Sequence, residues 1–257
     1  MTEKSREEKI QASKVKQARY NETVAMLPEF QPWPKIARLN RDIIVTEKID
    51  GTNAAIGVSD DGVVYAQSRT RILTPDFDNF GFARWVSEND LLLAKLGRGL
   101  HFGEWWGRGI QRGYGLEGKR FSLFNTHRWA YDPEGVAILD SLKPFLSIDV
   151  VPVLYRGPMT GPAGFVNEQE SRLIPLSEII QGAARGEYDE AQALELAKDS
   201  GRMRFMPHLQ AEMLRRIGSQ AAPGFMKPEG IVVFHEASGT AFKMTLTGDE
   251  KHKGEQA

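Results

Sequence analysis

The pattern of apolar and polar positions divides the chain into unlike stretches. Residues 3–20 are mostly Glu, Lys, Arg, Gln and Ala with few apolar positions, which predicts a solvated N-terminal helix. "LPEFQPWPK" ends that helix with prolines and leads into the main domain. Between Asp42 and Gln67, "IIVTEKI", "AAIGV" and "VVYAQS" predict short strands, with "SDDG" as a hairpin turn between the last two. "DNFGFARWVSENDLLLAKLG" predicts a helix ending at Gly97. Further strands are predicted in "LHFGEWWG", "RFSLFNT", "GVAILD" and "FLSIDVVPVLY". The stretch from Asn167 to Gly218 predicts polar-faced helices. "EGIVVFHEA" and "TAFKMTLT" then return to strand before the polar tail "GDEKHKGEQA". Strands in clusters with helices between them favour an α+β fold with antiparallel sheets over strict βαβ alternation.

Composition narrows the function classes. A chain of 257 residues can bury a substantial core, as one large domain or one domain plus an appendage. A formal charge of −1 gives no global pull toward nucleic acid, so such binding has to come from a local patch. The absence of cysteine excludes disulfides, thiolate zinc sites and a cysteine nucleophile, and fits a reducing compartment. The first twenty residues are too charged for a signal peptide, and no apolar run approaches about 18 residues. The expectation is a cytoplasmic protein with no membrane segment. The five histidines lack metal-ligand spacing and are expected in packing or at the surface. "GYGLEG" (113–118) satisfies a dinucleotide-binding pattern, but "KRFSLF" behind it predicts strand where that pattern needs a helix.

"VTEKIDGTNAAIGV" (45–58) carries the chemistry. Lys48 stands between Glu47 and Asp50, in front of Gly51. A lysine attacks only as the neutral amine, and carboxylates alone hold the proton on. The arrangement therefore serves catalysis only with a divalent metal among the acids. Read alone, it fits an exposed, salt-bridged strand lysine equally well.

The remaining motifs change the balance. "EKIDGTN" resembles the K-x-D-G signature of the covalent nucleotidyltransferases, the superfamily of polynucleotide ligases and mRNA capping enzymes. In the order expected for that superfamily follow "QSRTR" (67–71), "FGEWWG" (102–107), "FSLFN" (121–125), "PEGIVV" (228–233) and "AFKM" (241–244). Asn53 after "KIDGT", together with "GEWWGRGIQRGYG", is most similar to ligases of the RNA ligase 2 type. The resemblance runs over roughly residues 33–247 and is patchy from 140 to 225.

The resemblance implies an α+β adenylation (nucleotidyltransferase) domain over residues 28–257. It has two antiparallel sheets flanked by helices and is preceded by a helical extension over 1–27. Only 14 residues follow Lys243, so no C-terminal OB domain is expected, leaving a partner protein to supply one. The implied activity is ATP-dependent joining of RNA 5′-phosphate and 3′-hydroxyl ends through a lysyl-AMP. Lys48 is the implied nucleophile and Lys243 the α-phosphate contact. Asp50, Glu104 and Glu229 are implied to orient Mg2+ or Mn2+ and the ribose hydroxyls. Phe124 is implied to stack on adenine, Glu47 to line the nucleotide site, and Asn53 and Arg69 to meet phosphates of the nucleic-acid end. Candidate RNA-facing groups are "RTR" (69–71), "GRGIQRG" (107–113) and "RMR" (202–204). The family pattern has two lysines in its last motif. This chain has Lys243 alone, with either Ala241 or Thr245 in the partner's place. Phe234 stands near where related ligases can place a basic residue. A DNA ligase, a GTP-using capping enzyme and a module that binds ends without sealing remain as alternatives.

Overall fold

Lys48 lies where the chain leaves one sheet for another. In the computed structural model, β1 (Asp42–Lys48) ends at the motif and β2 (Thr52–Val58) begins just after it, yet the two strands belong to different sheets. The structure describes residues 3–162, 165–167, 172–174, 185–187 and 203–247. It divides into two units, Met1–Ala37 and Arg38–Ala257. The first unit is α1 (Glu3–Ala25) followed by an exposed, irregular segment. Residues 28–37 contribute no regular element.

In the second unit, β2 leads to β3 (Val64–Ser68) and β4 (Ile72–Leu73), then α2 (Phe82–Glu88) and α3 (Asp90–Leu93). Next come β5 (Gly99–Gly107), β6 (Lys119–Leu123), α4 (Pro133–Leu142), β7 (Ile148–Val150) and β8 (Val153–Pro158). Short strands β9 (Thr160–Pro162), β10 (Phe165–Asn167), β11 (Arg172–Ile174) and β12 (Met203–Phe205) precede α5 (Met206–Ile217). The chain then forms β13 (Gly230–His235) and β14 (Thr240–Thr245). One large sheet has the order β14-β13-β1-β8, the other β4-β3-β2-β5-β6-β7. All pairs in the first are antiparallel. The second carries one parallel pair, β6 with β7, because α4 crosses between them.

Each sheet packs one face on a hydrophobic cluster, and the central strands β1 and β2 are buried on both faces. Under β2–β6, the rings of Phe82, Trp85, Trp105 and Phe121 pack at centroid distances of 5.0–6.1 Å. Ile43, Val45, Ile231 and Val233 on the other sheet cover Leu209 and Leu214 of α5. A third cluster of Ile49, Trp106, Tyr114, Val151 and Ala222 sits around the Lys48 turn.

Three stretches differ from the sequence pattern. "GVAILD" is helix within α4, not strand. Asp132 caps it by accepting the Gly135 N–H at 3.0 Å, Pro133 occupies the first turn, and the buried Gly135, Leu139 and Leu142 follow helical spacing. The predicted 78–97 helix starts at Phe82 and breaks at Asn89. Asp78 holds the Ala83 and Arg84 N–H groups from outside the helix, and Gly97 ends the run with a φ of 81°. Within 167–218 the described residues include α5 and parts of three strands; the rest of that helical expectation lies outside the described residues.

Candidate active site

Strand register decides which residues share a face with Lys48. Across β1 and β13 the pairs are Lys48 with Gly230, Thr46 with Val232 and Ile44 with Phe234. Across β13 and β14, Gly230 meets Thr245, Val232 meets Lys243 and Phe234 meets Ala241. Directly paired residues of an antiparallel sheet point the same way, and alternate residues repeat the direction. Lys243 therefore shares the Lys48 face one step away. Thr245 stands at Lys48's own level and Ala241 two steps off. Gly230 has no room for a side chain, since a Cβ would sit 2.1 Å from the Met244 carbonyl oxygen.

Glu229 lies at the entrance to β13. Its Oε2 is 2.5 Å from Lys48 Nζ, and both side chains are largely buried. That oxygen is sealed from solvent and has no aligned hydrogen-bond donor, so its contact with the ammonium is one of charge.

The turn at 49–51 is pressed onto β5. A Cβ on Gly51 would fall 2.5 Å from the Trp105 carbonyl oxygen, and the Gly51 N–H donates to Glu104 Oε1 at 3.1 Å. Glu104 pairs with Asn53 on one side and Ser122 on the other, which gives these three one sheet face. Phe124 extends β6 on that face. Its N–H donates to the Phe102 carbonyl, and its side chain is 39% exposed, so it is not a core residue. Arg69 is at the exposed tip of the β3–β4 turn, which the Ser68 hydroxyl closes by accepting from the Thr70 and Arg71 N–H groups.

Burial pushes the Glu104 carboxyl up to about 7, against the Gly51 N–H and the Lys48 charge, which pull it down. Glu229 and Asp50 add to the upward push. Lys48, Asp50, Glu104 and Glu229 therefore form one electrostatic group.

The remaining expected site residues are placed differently. Neighbours on a strand face opposite ways, so Glu47 points away from the Lys48 face. Its buried carboxylate accepts from the Ser219 hydroxyl at 2.6 Å and from the Gln220 and Ala221 N–H groups at 2.7 and 2.9 Å. Through its carboxylate Glu47 anchors the loop after α5. Asp50 is held by Arg112, whose Nε donates at 2.8 Å. Among the described residues, no group of three or more histidine or acidic side chains is placed to hold a metal ion. Asp50, Glu104 and Glu229 each have a different partner, so they do not form a closed coordination cage.

Arg112, expected only as part of the RNA-facing stretch "GRGIQRG", and Tyr114, to which the sequence gives no role, both meet the Lys48 turn. Arg112 also donates to the Lys227 carbonyl at 3.2 Å, linking the Lys48 turn to the approach to Glu229. The Tyr114 hydroxyl accepts the Asp50 N–H at 2.8 Å, and its ring packs on Trp106 and Phe225. Tyr114 belongs to the glycine-rich "GYGLEG" region, and Arg112 directly precedes it. That region is a loop with positive φ at Gln111 and Tyr114, followed by β6 and no helix, so it is not a dinucleotide site. Of "RMR", Arg202 lies outside the described residues. A cavity of about 360 Å³ lies against Trp106, Arg120, Ser122, Asp149 and Gln220; none of the residues assigned to the nucleotide lines it. No described helix is long and apolar enough to cross a membrane.

Among solved structures, the chain is similar to variants of Naegleria gruberi RNA ligase. One, solved with ATP and manganese, is 17% identical over 80% of this chain and 49% of that one, with a TM-score of 0.44. Another, with AMP and manganese, is 17% identical over 88% of this chain and 60% of that one, with a TM-score of 0.45. The chain thus spans about half to three-fifths of the length of these proteins. Comparison with curated protein sequences returns no match. The RNA ligase family matches residues 41–243, from the edge of β1 to the lysine of β14 and well over half of the sequence, and the chain belongs to that family.

Proposed function

We propose that this chain seals RNA ends carrying a 5′-phosphate and a 3′-hydroxyl, using ATP and a lysyl-AMP on Lys48. The observation that carries the reading is Lys48 Nζ held 2.5 Å from the buried Glu229 Oε2, where the two sheets meet. As the amine attacks the α-phosphate of ATP, a nitrogen–phosphorus bond forms and pyrophosphate leaves. The proton that Nζ gives up leaves with the pyrophosphate, and Glu229 beside Nζ holds the lysine in place for attack. The RNA 5′-phosphate then displaces Lys48 from AMP, and the lysine regains its proton. The 3′-hydroxyl finally displaces AMP, closing the phosphodiester. Each step is an in-line displacement at phosphorus, so positioning and charge neutralisation supply most of the catalysis.

Phe124 offers an exposed aromatic face to adenine, on the same sheet face as Glu104 and Asn53. Lys243, in register on the Lys48 face, neutralises the α-phosphate. Arg69, at an exposed turn, suits a phosphate of the RNA end. Magnesium binds through one or two carboxylates plus substrate phosphates, which does not require a closed cage. Glu229, with an oxygen lacking an aligned donor, and Glu104 would hold Mg2+ or Mn2+, which supplies charge neutralisation on the triphosphate.

A second reading, a module that binds ends without sealing, rests on the lone lysine of β14. Assays with ATP or GTP on nicked RNA, nicked DNA and single-stranded RNA decide between them. Sealing of RNA with ATP is expected. GTP dependence or sealing of DNA alone would reassign the enzyme, and binding of RNA ends with no sealing on any substrate would support the second reading.

A further inference from the structure

The Lys48 face does not end at Lys243. Two residues along a strand advance about 7 Å. From Lys48 the levels run through Thr46 with Lys243 to Ile44 with Phe234. On the other side of Ile44, β8 places Arg156 at that same third level. The Arg156 guanidinium lies over the Tyr131 ring, 4.4 Å from its centroid. Tyr131 comes from the helical turn His127–Tyr131 after β6, so this contact joins the segment beyond Phe124 to the Lys48 sheet. Phe234 and Tyr131 are 39% and 38% exposed, far more than the core aromatics. Arg156 has an exposed ion pair with Glu236 at 3.4 Å, which leaves the level without a sealed polar network.

We propose that Phe234, Arg156 and Tyr131 form a stacking subsite for the first base of the RNA strand whose 5′-phosphate receives AMP. This rests on the reading of Lys48 as the nucleophile. The levels leave room for the linkage being made: the AMP phosphate lies between Lys48 and Lys243, and the base of the strand that receives it lies at the third level, about 13 Å from Lys48 in register, at Phe234. Exposed aromatic rings with an interleaved arginine accept any base through its π-face, while the cations match the charge of the backbone. The subsite is therefore indifferent to sequence and sensitive to whether a base is present.

The test is a double-mutant cycle on RNA binding. A short, fluorescent, single-stranded RNA with a 5′-phosphate is compared with one that is abasic at its first nucleotide, against wild type, Phe234→Leu and Tyr131→Leu. Lysyl-AMP formation is measured in parallel by intact mass. On wild type, the abasic strand should bind roughly tenfold more weakly, the size of one stacked base. Phe234→Leu should bind the normal strand about equally weakly and lose nothing more on the abasic strand. Lysyl-AMP formation should be unchanged. Equal affinity of wild type for the two strands, or losses that simply multiply in the combined case, overturns the subsite. Absence of lysyl-AMP in wild type would instead count against the nucleophile, and the binding cycle reads independently of it.

Discussion

Truncating Glu47 tests whether the residue beside the nucleophile anchors a loop or binds nucleotide. Its carboxylate is 1% exposed and accepts from Ser219, Gln220 and Ala221. Glu47→Ala leaves one hydroxyl and two N–H groups without that acceptor, each worth about 1–3 kcal/mol when buried and unpaired. Removing a buried charge offsets part of the loss, since burial raises the carboxyl's pKa above the usual 4.5 despite those three hydrogen bonds. A net cost of about 3 kcal/mol results, or a fall in Tm of roughly 6–12 °C for a domain of this size. In Glu47→Gln the amide oxygen can accept both N–H groups and the amide nitrogen can donate to Ser219 Oγ, so about 1 kcal/mol or less is expected. With its pKa raised on folding, Glu47 holds more proton in the native than in the unfolded state between 4.5 and its folded value. Its contribution to stability thus falls as pH rises through that window, and Glu47→Gln removes this slope. Urea melts across pH 4–8, with ATP binding by calorimetry, measure both effects. Glu47→Ala within 1 kcal/mol of wild type, or a folded Glu47→Gln that no longer binds ATP, would refute the anchor.

Three further substitutions probe the site. Arg112→Ala removes the bond to Asp50 and the one to Lys227; being partly exposed it should cost only about 1 kcal/mol in a melt, while slowing adenylation by roughly tenfold in single-turnover assays. Unchanged adenylation would reduce Arg112 to a surface ion pair. Wild-type stability should also fall between about pH 4.5 and about pH 7 as the buried Glu104 ionises, and Glu104→Gln should flatten that slope by at most about 3 kcal/mol; an unaltered slope locates the titration elsewhere. Phe124→Leu should leave the melt in place and weaken ATP binding by roughly a kcal/mol, and a large drop in Tm with normal binding would make the ring structural.

What the sequence revealed, and what it hid, follows from how far each signal reaches along the chain. The strands around Lys48, Glu104 and Glu229 were legible because alternation and hairpin turns are local. The apolar run of "GVAILD" suits a strand, but Asp132-Pro133 ahead of it is a helix-start signal, and the structure follows that signal. Arg112 and Tyr114 reach Asp50 across 62 and 64 residues, and no local pattern announces such a contact. Strand alternation alone orients the Glu47 side chain: if Lys48 faces the pocket, its strand neighbour faces away. Asp50, Glu104 and Glu229 come from three separate stretches of chain and act on one another as one electrostatic group, a grouping that spacing along the sequence alone does not announce.

The central claim is that Lys48 is the covalent nucleophile, and the most direct measurement is the site of the adduct. After incubation with ATP and magnesium, intact and peptide mass spectrometry should find one AMP on the peptide that contains Lys48. Lys48→Ala should lose the adduct. Lys48→Arg should lose it as well, because a guanidinium stays protonated and cannot attack. AMP on any other lysine, or an adduct that persists in either variant, would contradict the account.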